Sequence, residues 1–211
     1  MRPAAGGIGR SQGSGRVRLF TTPRDLFQQL EQAWAGRKTL DLGMHSGRKF
    51  AGSIGVDIRP GPSVDVFHDL NAFPYPFPDD AFDLIICRHV LEHLRELDKV
   101  LDEIWRIARP EARVVVEVPH FTNVEAFRHW QHVRFFTAGS FDFFGPTNTN
   151  YRARFRILRR RLFFNDGLRL LGIEWLANRC TRMYERHFAF WFPAGSIFFE
   201  LEAVKPGPRP T

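Results

Sequence analysis

Short apolar runs alternate with helical patterns along residues 39–118 of the 211-residue chain. The strongest run, Phe82–Cys87, is almost continuously apolar, as expected for a strand buried on both faces. Apolar residues then recur at helical spacing from Leu91 to Ala108, and Arg113–Val118 is predicted to form the next strand. Because strands separated by helices imply βαβ units, the pattern predicts an α/β protein with a mostly parallel sheet.

The other predicted elements come from the same two periodicities. A short helix is predicted from Asp25 to Trp34, with Thr22 as its N-cap and Pro23 in its first turn. One long helix is predicted from Asp166 to about Arg186. The remaining predicted strands are Thr39–Leu42, Ser53–Ile58, Val64–Phe67, Arg154–Phe163 and Ser196–Val204.

The chain is predicted to contain one folded domain, at residues 19–205. Residues 1–18 are rich in Gly, Ser and Arg and are predicted to be a disordered tail, and residues 206–211 are predicted to fray. Within the domain, residues 119–195 are predicted to carry an insertion that forms a lid. The basis is residues 119–150, which combine many Phe and His with no single period.

The charge and the cysteines bear on compartment and partners. The formal net charge of +7 suits nucleic acid, anionic lipid or a phosphorylated substrate. We favour a simpler explanation, a preference for Arg codons in a GC-rich genome. Cys87 and Cys180 fit no metal or disulfide pattern, so we interpret them as free thiols in a reducing compartment. With no secretory signal and no bilayer-length apolar run in the sequence, we expect a soluble cytoplasmic protein, and we leave peripheral membrane contact open.

Small and acidic residues follow three of the predicted strands. Gly43 ends the first strand, and a residue without a Cβ lets the backbone approach a ligand closely. Asp57 ends the second, where a carboxylate can accept hydrogen bonds from both hydroxyls of a ribose. Asp69 and Leu70 follow the third, where they suit the amine and the ring face of an adenine. In open α/β sheets nucleotides bind at this edge, so the pattern predicts a nucleotide-like cofactor.

The segments around these residues resemble the class I S-adenosylmethionine-dependent methyltransferases. LDLG at residues 40–43 matches the first motif of the family, and GVDI at residues 55–58 matches the acidic end of its second strand. HDLNAFPYPFPDDAFDLIICRHVLEHL, residues 68–94, matches the stretch through the fourth strand and the helix after it. The resemblance covers about residues 38–119 and, more loosely, the last predicted strand.

The resemblance implies a Rossmann-like, doubly wound, mostly parallel sheet of seven strands whose last strand is antiparallel. It also implies S-adenosylmethionine as cofactor and methyl transfer to a small-molecule or glycan-type acceptor as the activity, with residues 119–195 on the acceptor side. No metal ligand is predicted. The cofactor contacts that we predict are Asp41, Gly43, His45, Gly47, Asp57, Ile58, Asp69, Leu70, Arg88 and His89.

Two features depart from the family pattern. His45 stands where the first motif usually has the middle glycine of Gly-x-Gly-x-Gly, so its imidazole would either crowd the methionine moiety or meet its carboxylate. The connection between the first two strands is also short, with room for one helical turn at best. We interpret it as a trimmed helix, because this branch of the family has similarly short connections.

Histidines are the candidate catalytic residues. An activated methyl group needs mainly an aligned acceptor, and a hydroxyl or amine acceptor gains further from a general base near neutral pKa. We predict that His120, at the end of the fifth strand, and His132, in HWQHVRFF, face the acceptor and that either is the base. The alternative is that both hold the lid in place by hydrogen bonds to backbone. A carboxylate acceptor would need no base.

Three rival functions were weighed. A nicotinamide-dependent dehydrogenase would carry Gly-x-Gly-x-x-Gly opening a helix, and Asp57 comes too early for its ribose contact. A nucleic-acid amino-methyltransferase would carry an Asn/Asp-Pro-Pro-aromatic signature where this chain has CRHVLEH, which disfavours a nucleic-acid substrate. A catalytically silent binding module with the same fold remains the alternative, and it would be expected not to bind S-adenosylmethionine.

Three side-chain groups allow two interpretations each. Arg88, His89, Glu92 and His93 either line the methionine end of the cofactor or stabilise the start of a helix. The Arg-rich segment Arg152–Arg161 either docks an anionic acceptor or membrane surface or is a solvated edge strand, and we favour the edge strand. Phe188–Phe192, with Trp175 and Tyr184, either belongs to the core, which we favour, or binds a lipid or apolar acceptor.

Overall fold

A computed structural model describes residues 21–44 and 49–205 of the chain. These residues form a sheet of seven strands in the order β3-β2-β1-β4-β5-β7-β6. β1 to β5 are parallel to one another, and β7 runs antiparallel to both β5 and β6. The predicted α/β fold, with its mostly parallel sheet and antiparallel last strand, is therefore confirmed. The predicted tails at residues 1–18 and 206–211 lie outside the described residues.

Six strands lie within two residues of their predicted bounds, β5 begins five residues earlier than predicted, and the helices differ more. The strands are Thr39–Leu42 (β1), Ile54–Asp57 (β2), Val66–Phe67 (β3), Phe82–Arg88 (β4), Ala108–Pro119 (β5), Phe155–Phe163 (β6) and Ser196–Ala203 (β7). The helices are Pro23–Ala33 (α1), Leu97–Ile107 (α2), Val124–Arg128 (α3), Asp166–Leu170 (α4), Ile173–Arg179 (α5) and Thr181–His187 (α6). Short 3₁₀ turns lie at Leu91–His93 and Asp142–Phe144.

Both faces of the sheet are covered. The side chains of Ile85 and Cys87 in β4 join the core that contains α2, whereas Leu84 and Ile86 join the smaller core under α1. This alternation follows from the two-residue period of a strand, and it explains why β4 is apolar at nearly every position. The doubly wound arrangement predicted from the sequence is confirmed.

The predicted helix start at α1 is also confirmed. Thr22 is the N-cap, and its hydroxyl accepts a hydrogen bond from the backbone N–H of Asp25 at 3.2 Å. Asp25 in turn accepts the backbone N–H of Thr22 at 2.7 Å, which completes a capping box. The helix buries Leu26 and Phe27 against the sheet, where Phe27 packs edge-to-face on Phe198.

The two long predicted helices are interrupted. The pattern from Leu91 to Ala108 forms a 3₁₀ turn and then α2, and between them the backbone N–H of Arg95 donates to the side-chain oxygen of Asn71 at 2.9 Å. The pattern from Asp166 to Arg186 forms α4, α5 and α6, with Gly172 at φ 75° between the first two. A left-handed glycine ends a helix because it costs no Cβ strain there.

The region after β5 contributes buried side chains although little of it is regular. Phe136 and Phe141 are fully buried, and Phe141 packs on Phe199 of β7 with ring centroids 4.7 Å apart. A bridge pairs His120 with Phe136, which holds the start and the middle of the region together. This part of the predicted lid therefore extends the core.

The aromatic segment near the C-terminal end of the chain differs from the prediction. Tyr184 is buried as expected, but Trp175, Phe190 and Trp191 are 71%, 80% and 81% exposed. The core interpretation is wrong for these three residues. Periodicity identifies the apolar face of a helix, but it does not tell whether another element covers that face.

The Arg-rich strand β6 forms one edge of the sheet. Its side chains are paired with acids: Arg156 with Glu202, Arg160 with Asp142, and Arg161 with Glu174. These contacts agree with the interpretation of a charged edge strand, which resists pairing with other chains. None of the described helices is long and apolar enough to cross a membrane.

Candidate active site

A cavity of about 810 Å³ opens at the carboxyl end of the sheet beside β1 and β4. The chain leaves β1 toward β2 on one side and returns to β4 on the other, so this is the point where the strand order reverses. Ligands of open α/β sheets bind at such a point. Its lining includes Phe27 and Glu31 of α1, Gly43, Met44, Arg88, His89, His93 and Glu117.

Gly43 marks the turn out of β1. Its φ of 66° lies in the left-handed region, and a Cβ placed there would lie 2.1 Å from Cγ2 of Val90. Both the backbone conformation and the packing therefore require glycine. The two predicted contacts that follow, His45 and Gly47, lie outside the described residues.

Asp41 is buried in β1, outside the cavity lining, and it contacts two residues of that lining, Phe50 and Arg88. Its buried carboxylate accepts the backbone N–H of Phe50 at 2.8 Å and the Nη2 of Arg88 at 3.4 Å. Burial raises the pKa of Asp41, against the opposing effect of the Arg88 charge. The Arg88 guanidinium also lies 5.0 Å from the centre of the Phe27 ring, so it links β1, β4 and α1.

His89 lies at the cavity wall in an uncommon conformation. Its φ of 49° is in the left-handed region, which costs a non-glycine residue about 1–3 kcal/mol and is often found at functional sites. Its Nδ1 lies 3.4 Å from Glu92 Oε1, and its Nε2 lies 3.7 Å from Glu117 Oε1. Burial disfavours the charged ring, but the neighbouring carboxylates of Glu117 and Glu92 outweigh it and raise the pKa to about 10.

The predicted contacts for the adenosine half lie along β2 and β3, outside the lining of this cavity. Asp57 is buried at the end of β2, and its Oδ1 accepts the N–H of Arg59 at 2.8 Å. Ile58 beside it is half exposed. Asp69 accepts the N–H of Asn71 at 2.8 Å, and Leu70 is buried. These residues form the continuation of the same sheet edge.

His120 is fully buried. Its Nδ1 lies 2.6 Å from the Thr122 hydroxyl, and its Nε2 lies 3.2 Å from Glu185 Oε1. Both ring nitrogens are thus engaged inside the protein. This geometry favours the alternative interpretation, in which His120 holds the segment after β5 in place.

His132 has a different environment. Its ring stacks beside His129 and meets His93 edge-to-face, with centroids 5.2 and 4.7 Å away. His93 lines the cavity, and burial lowers its pKa. The structure therefore brings His132 to the group that follows β4, a proximity that sequence reasoning did not predict.

The sequence analysis also missed Glu117. It lies in β5, where its carboxylate accepts a hydrogen bond from the Ser196 hydroxyl at 3.2 Å and faces His89. The sequence does contain a pattern that indicates it, because Glu117 is the one charged residue within the apolar run Val114–Val118. A buried carboxylate in a central strand is uncommon unless it is paired.

Comparison with known proteins agrees with this architecture. Residues 44–116 match a family model described as a methyltransferase domain. Over 46 residues, 22% of this chain and 16% of the other, the sequence is 37% identical to ajmaline N-methyltransferase from Rauvolfia serpentina. The chain spans between 16% and 36% of the length of the curated relatives that it matches.

Two solved structures share the fold. A SAM-dependent methyltransferase from Archaeoglobus fulgidus superposes with a TM-score of 0.58 at 18% identity, covering 84% of this chain and 92% of that one. The N-methyltransferase NodS from Bradyrhizobium japonicum, in complex with S-adenosylhomocysteine, gives 0.54 at 14% identity, covering 86% and 87%.

The fold and the position of the cavity define a Rossmann-like α/β protein with a ligand site at the strand-order reversal. Residues 44–116 match a methyltransferase domain, and the fold is the one seen in S-adenosylmethionine-dependent methyltransferases of known structure. The resemblance noted in the sequence is thereby confirmed.

Proposed function

We propose that the protein transfers the methyl group of S-adenosylmethionine to a small-molecule or glycan-type acceptor. The observation that carries the proposal is the cavity at the carboxyl end of β1 and β4, because it joins Gly43 and Arg88 of two family-like motifs. The methionine half of the cofactor would lie against Gly43, Arg88 and His89. The ribose and adenine would extend along Asp57, Ile58, Asp69 and Leu70.

The main catalytic contribution is alignment of donor and acceptor. The sulfonium methyl is already activated, and positioning supplies much of the rate enhancement of such a transfer. His120 has no free ring nitrogen for proton transfer, so we assign it a positioning role. The ring of His132 contacts His93, which lines the cavity, so His132 lies close to the proposed reaction site.

The acceptor side of the proposal rests on exposed aromatic rings. Phe190 packs edge-to-face on Phe121, two residues after the end of β5, with ring centroids 5.6 Å apart. Exposed aromatic side chains suit the apolar faces of organic acceptors, including lipid-linked ones. A charged nucleic-acid acceptor fits this apolar surface poorly. Peripheral contact with a membrane would use the same exposed Phe190 and Trp191.

The compartment is proposed on separate grounds. Cys87 is buried in β4 and Cys180 is exposed between α5 and α6, and both are free thiols. Free thiols persist in a reducing environment, so we propose a cytoplasmic location.

A labelling experiment tests the proposal. The protein is incubated with S-adenosylmethionine carrying a labelled methyl group and with separate pools of glycans, lipid-linked glycans and small amines or acids. We expect the label in one pool and an equal amount of S-adenosylhomocysteine. A pure protein that binds no S-adenosylmethionine and forms no S-adenosylhomocysteine with any pool would support the silent binding module instead.

A further inference from the structure

Three potential metal ligands meet beside the cavity. Glu92 and His93 lie on the 3₁₀ turn that follows β4, and His132 lies on the segment after α3. One ligand atom from each residue lies within 4.8 Å of the others. Because His93 also lines the cavity, the cluster borders the proposed methyl-donor site.

Glu92 is the side chain that points most strongly to a missing partner. It is 1% exposed, and neither carboxylate oxygen accepts a hydrogen bond among the described residues. His89 Nδ1 lies 3.4 Å from Oε1, and Oε2 has no hydrogen-bond partner among the described residues. A buried carboxylate oxygen without a hydrogen bond is costly, and a metal ion would remove that cost.

Both imidazoles are oriented as metal-binding imidazoles usually are. The Nδ1–H of His132 donates to the carbonyl oxygen of Ala126 at 3.1 Å. The ring of His93 makes a hydrogen bond to the backbone of Gln131. A carbonyl that holds one ring nitrogen leaves the lone pair of the other free for a metal and fixes the direction in which it points.

The backbone holds the two segments of the cluster together. The N–H groups of Val133 and Arg134 both donate to the carbonyl oxygen of Glu92, at 2.8 and 3.1 Å. His132 is therefore fixed next to the turn that carries Glu92 and His93. The site is assembled before any ligand binds, which lowers the cost of binding.

We propose that Glu92, His93 and His132 bind one divalent transition-metal ion, of which zinc is the best probe. Two imidazoles and one carboxylate are a borderline-soft donor set that suits zinc, cobalt, iron or manganese better than magnesium or calcium. Ligand atoms around zinc lie about 3.4 Å apart, at about 2.1 Å from the metal, so the side chains rotate slightly inward on binding. Three protein ligands leave a coordination position open.

The role of the metal in the reaction rests on the proposed function. An acceptor hydroxyl at the open position would have its pKa lowered and would release its proton to solvent. Its oxygen then forms a bond to the methyl carbon while the carbon–sulfur bond breaks, leaving S-adenosylhomocysteine. His132 would act as a metal ligand in this arrangement, and no histidine base is needed.

Metal binding is tested without any acceptor. Protein stripped of metal with a chelator and freed of any affinity tag is titrated with ZnCl₂ by calorimetry, and Co²⁺ is followed by its visible absorption. We expect one equivalent to bind. Affinity should fall at least about 100-fold in Glu92→Gln, His93→Ala and His132→Ala, beyond the loss typical of second-shell changes. His187→Ala, an exposed histidine on α6, is the matched control and should bind as wild type does.

Circular dichroism of each stripped variant shows whether it is folded. The proposal is overturned if wild type binds zinc no more tightly than folded His132→Ala, or if all three variants bind as wild type does. A parallel titration with S-adenosylmethionine separates this proposal from the proposed function. His132→Ala, at a residue outside the cavity lining, should keep cofactor binding, whereas Asp57→Asn should lose cofactor affinity and keep zinc.

Discussion

At the scale of single residues, Gly43 is the position where the sequence leaves least freedom. Replacing it with Ala would place a Cβ 2.1 Å from Val90 Cγ2 at a φ of 66°. Gly52 offers a matched control, because its φ is 75° but nothing lies within 4 Å of its Cβ position. Left-handed strain alone costs about 1–2 kcal/mol, and overpacking adds about 1–3 kcal/mol.

We therefore expect Gly43→Ala to lower the free energy of unfolding by at least about 1 kcal/mol more than Gly52→Ala does. Urea denaturation with unchanged m-values measures the difference. Val90→Ala in the Gly43→Ala background should recover part of the loss. Equal destabilisation by the two glycine substitutions would contradict the close packing of Val90 on Gly43.

The residues at strand ends could be predicted, whereas those brought together by loops could not. Gly43, Asp57 and Arg88 follow directly from strand positions, because parallel strands end at one edge of the sheet. The contact of His132 with His93 depends on the path of the segment after α3, which has no periodicity. His120 follows the end of β5, but its contact with Glu185, 65 residues away along the chain, leaves no local pattern.

At the scale of elements, one arginine ties the segment between β3 and β4 to α2. The guanidinium of Arg106 donates to the carbonyls of Tyr75 and Phe77 at 3.1 and 2.9 Å, and to the carboxylates of Glu103 and Asp79, each at 2.7 Å. These hydrogen bonds hold the PYPFPDD segment, residues 74–80, against α2. The hydrogen bonds from Arg106 lower the pKa of Glu103 and of Asp79.

Arg106→Gln should cost about 1.5–3 kcal/mol of stability at neutral pH, because it removes charge-assisted hydrogen bonds to the partly buried Glu103 and to two backbone carbonyls. Lowered carboxyl pKa values give stability that is present above the ordinary values of 4.5 and 3.8 and is lost as the pH falls through the folded values. The difference in the free energy of unfolding between wild type and Arg106→Gln should therefore become smaller below about pH 4. Urea unfolding at several pH values measures this.

The control for this prediction is Arg109→Gln. Arg109 pairs with Asp83 at 2.6 Å, but its side chain is 45% exposed, so little stability should be lost. Two results would contradict the role assigned to the Arg106 contacts. One is a loss of unfolding free energy in Arg106→Gln that stays constant down to about pH 3. The other is a loss no larger than that of Arg109→Gln.

The two predicted helices that the structure divides show why the ends of an element were harder to predict than its presence. The apolar period from Leu91 to Ala108 is continuous, yet the carbonyl of Glu92 accepts hydrogen bonds from Val133 and Arg134 instead of continuing the helix. That competition comes from a distant segment and leaves no local pattern. Gly172 was a local signal for the break between α4 and α5, since glycine favours the left-handed conformation.

At the scale of the whole molecule, the order of strands and helices along the chain was enough to predict the mostly parallel pairing of the sheet. Alternating strands and helices predicted parallel pairing, and the family-like motifs predicted the antiparallel last strand; the strand order agrees with both. The exposed Trp175, Phe190 and Trp191 were not predicted, because coverage of an apolar face depends on tertiary packing. These exposed aromatic side chains make the proposed acceptor side apolar.

The central claim is that the sheet edge binds S-adenosylmethionine, and calorimetric titration of the pure protein tests it most directly. We predict one site whose affinity falls by about one to two orders of magnitude in Asp57→Asn, since a charge-assisted hydrogen bond contributes about 1.5–3 kcal/mol. Asp142→Asn, which removes an exposed carboxylate paired with Arg160, should leave the affinity unchanged. Absence of binding by wild type, or equal affinity in folded Asp57→Asn, would contradict the claim.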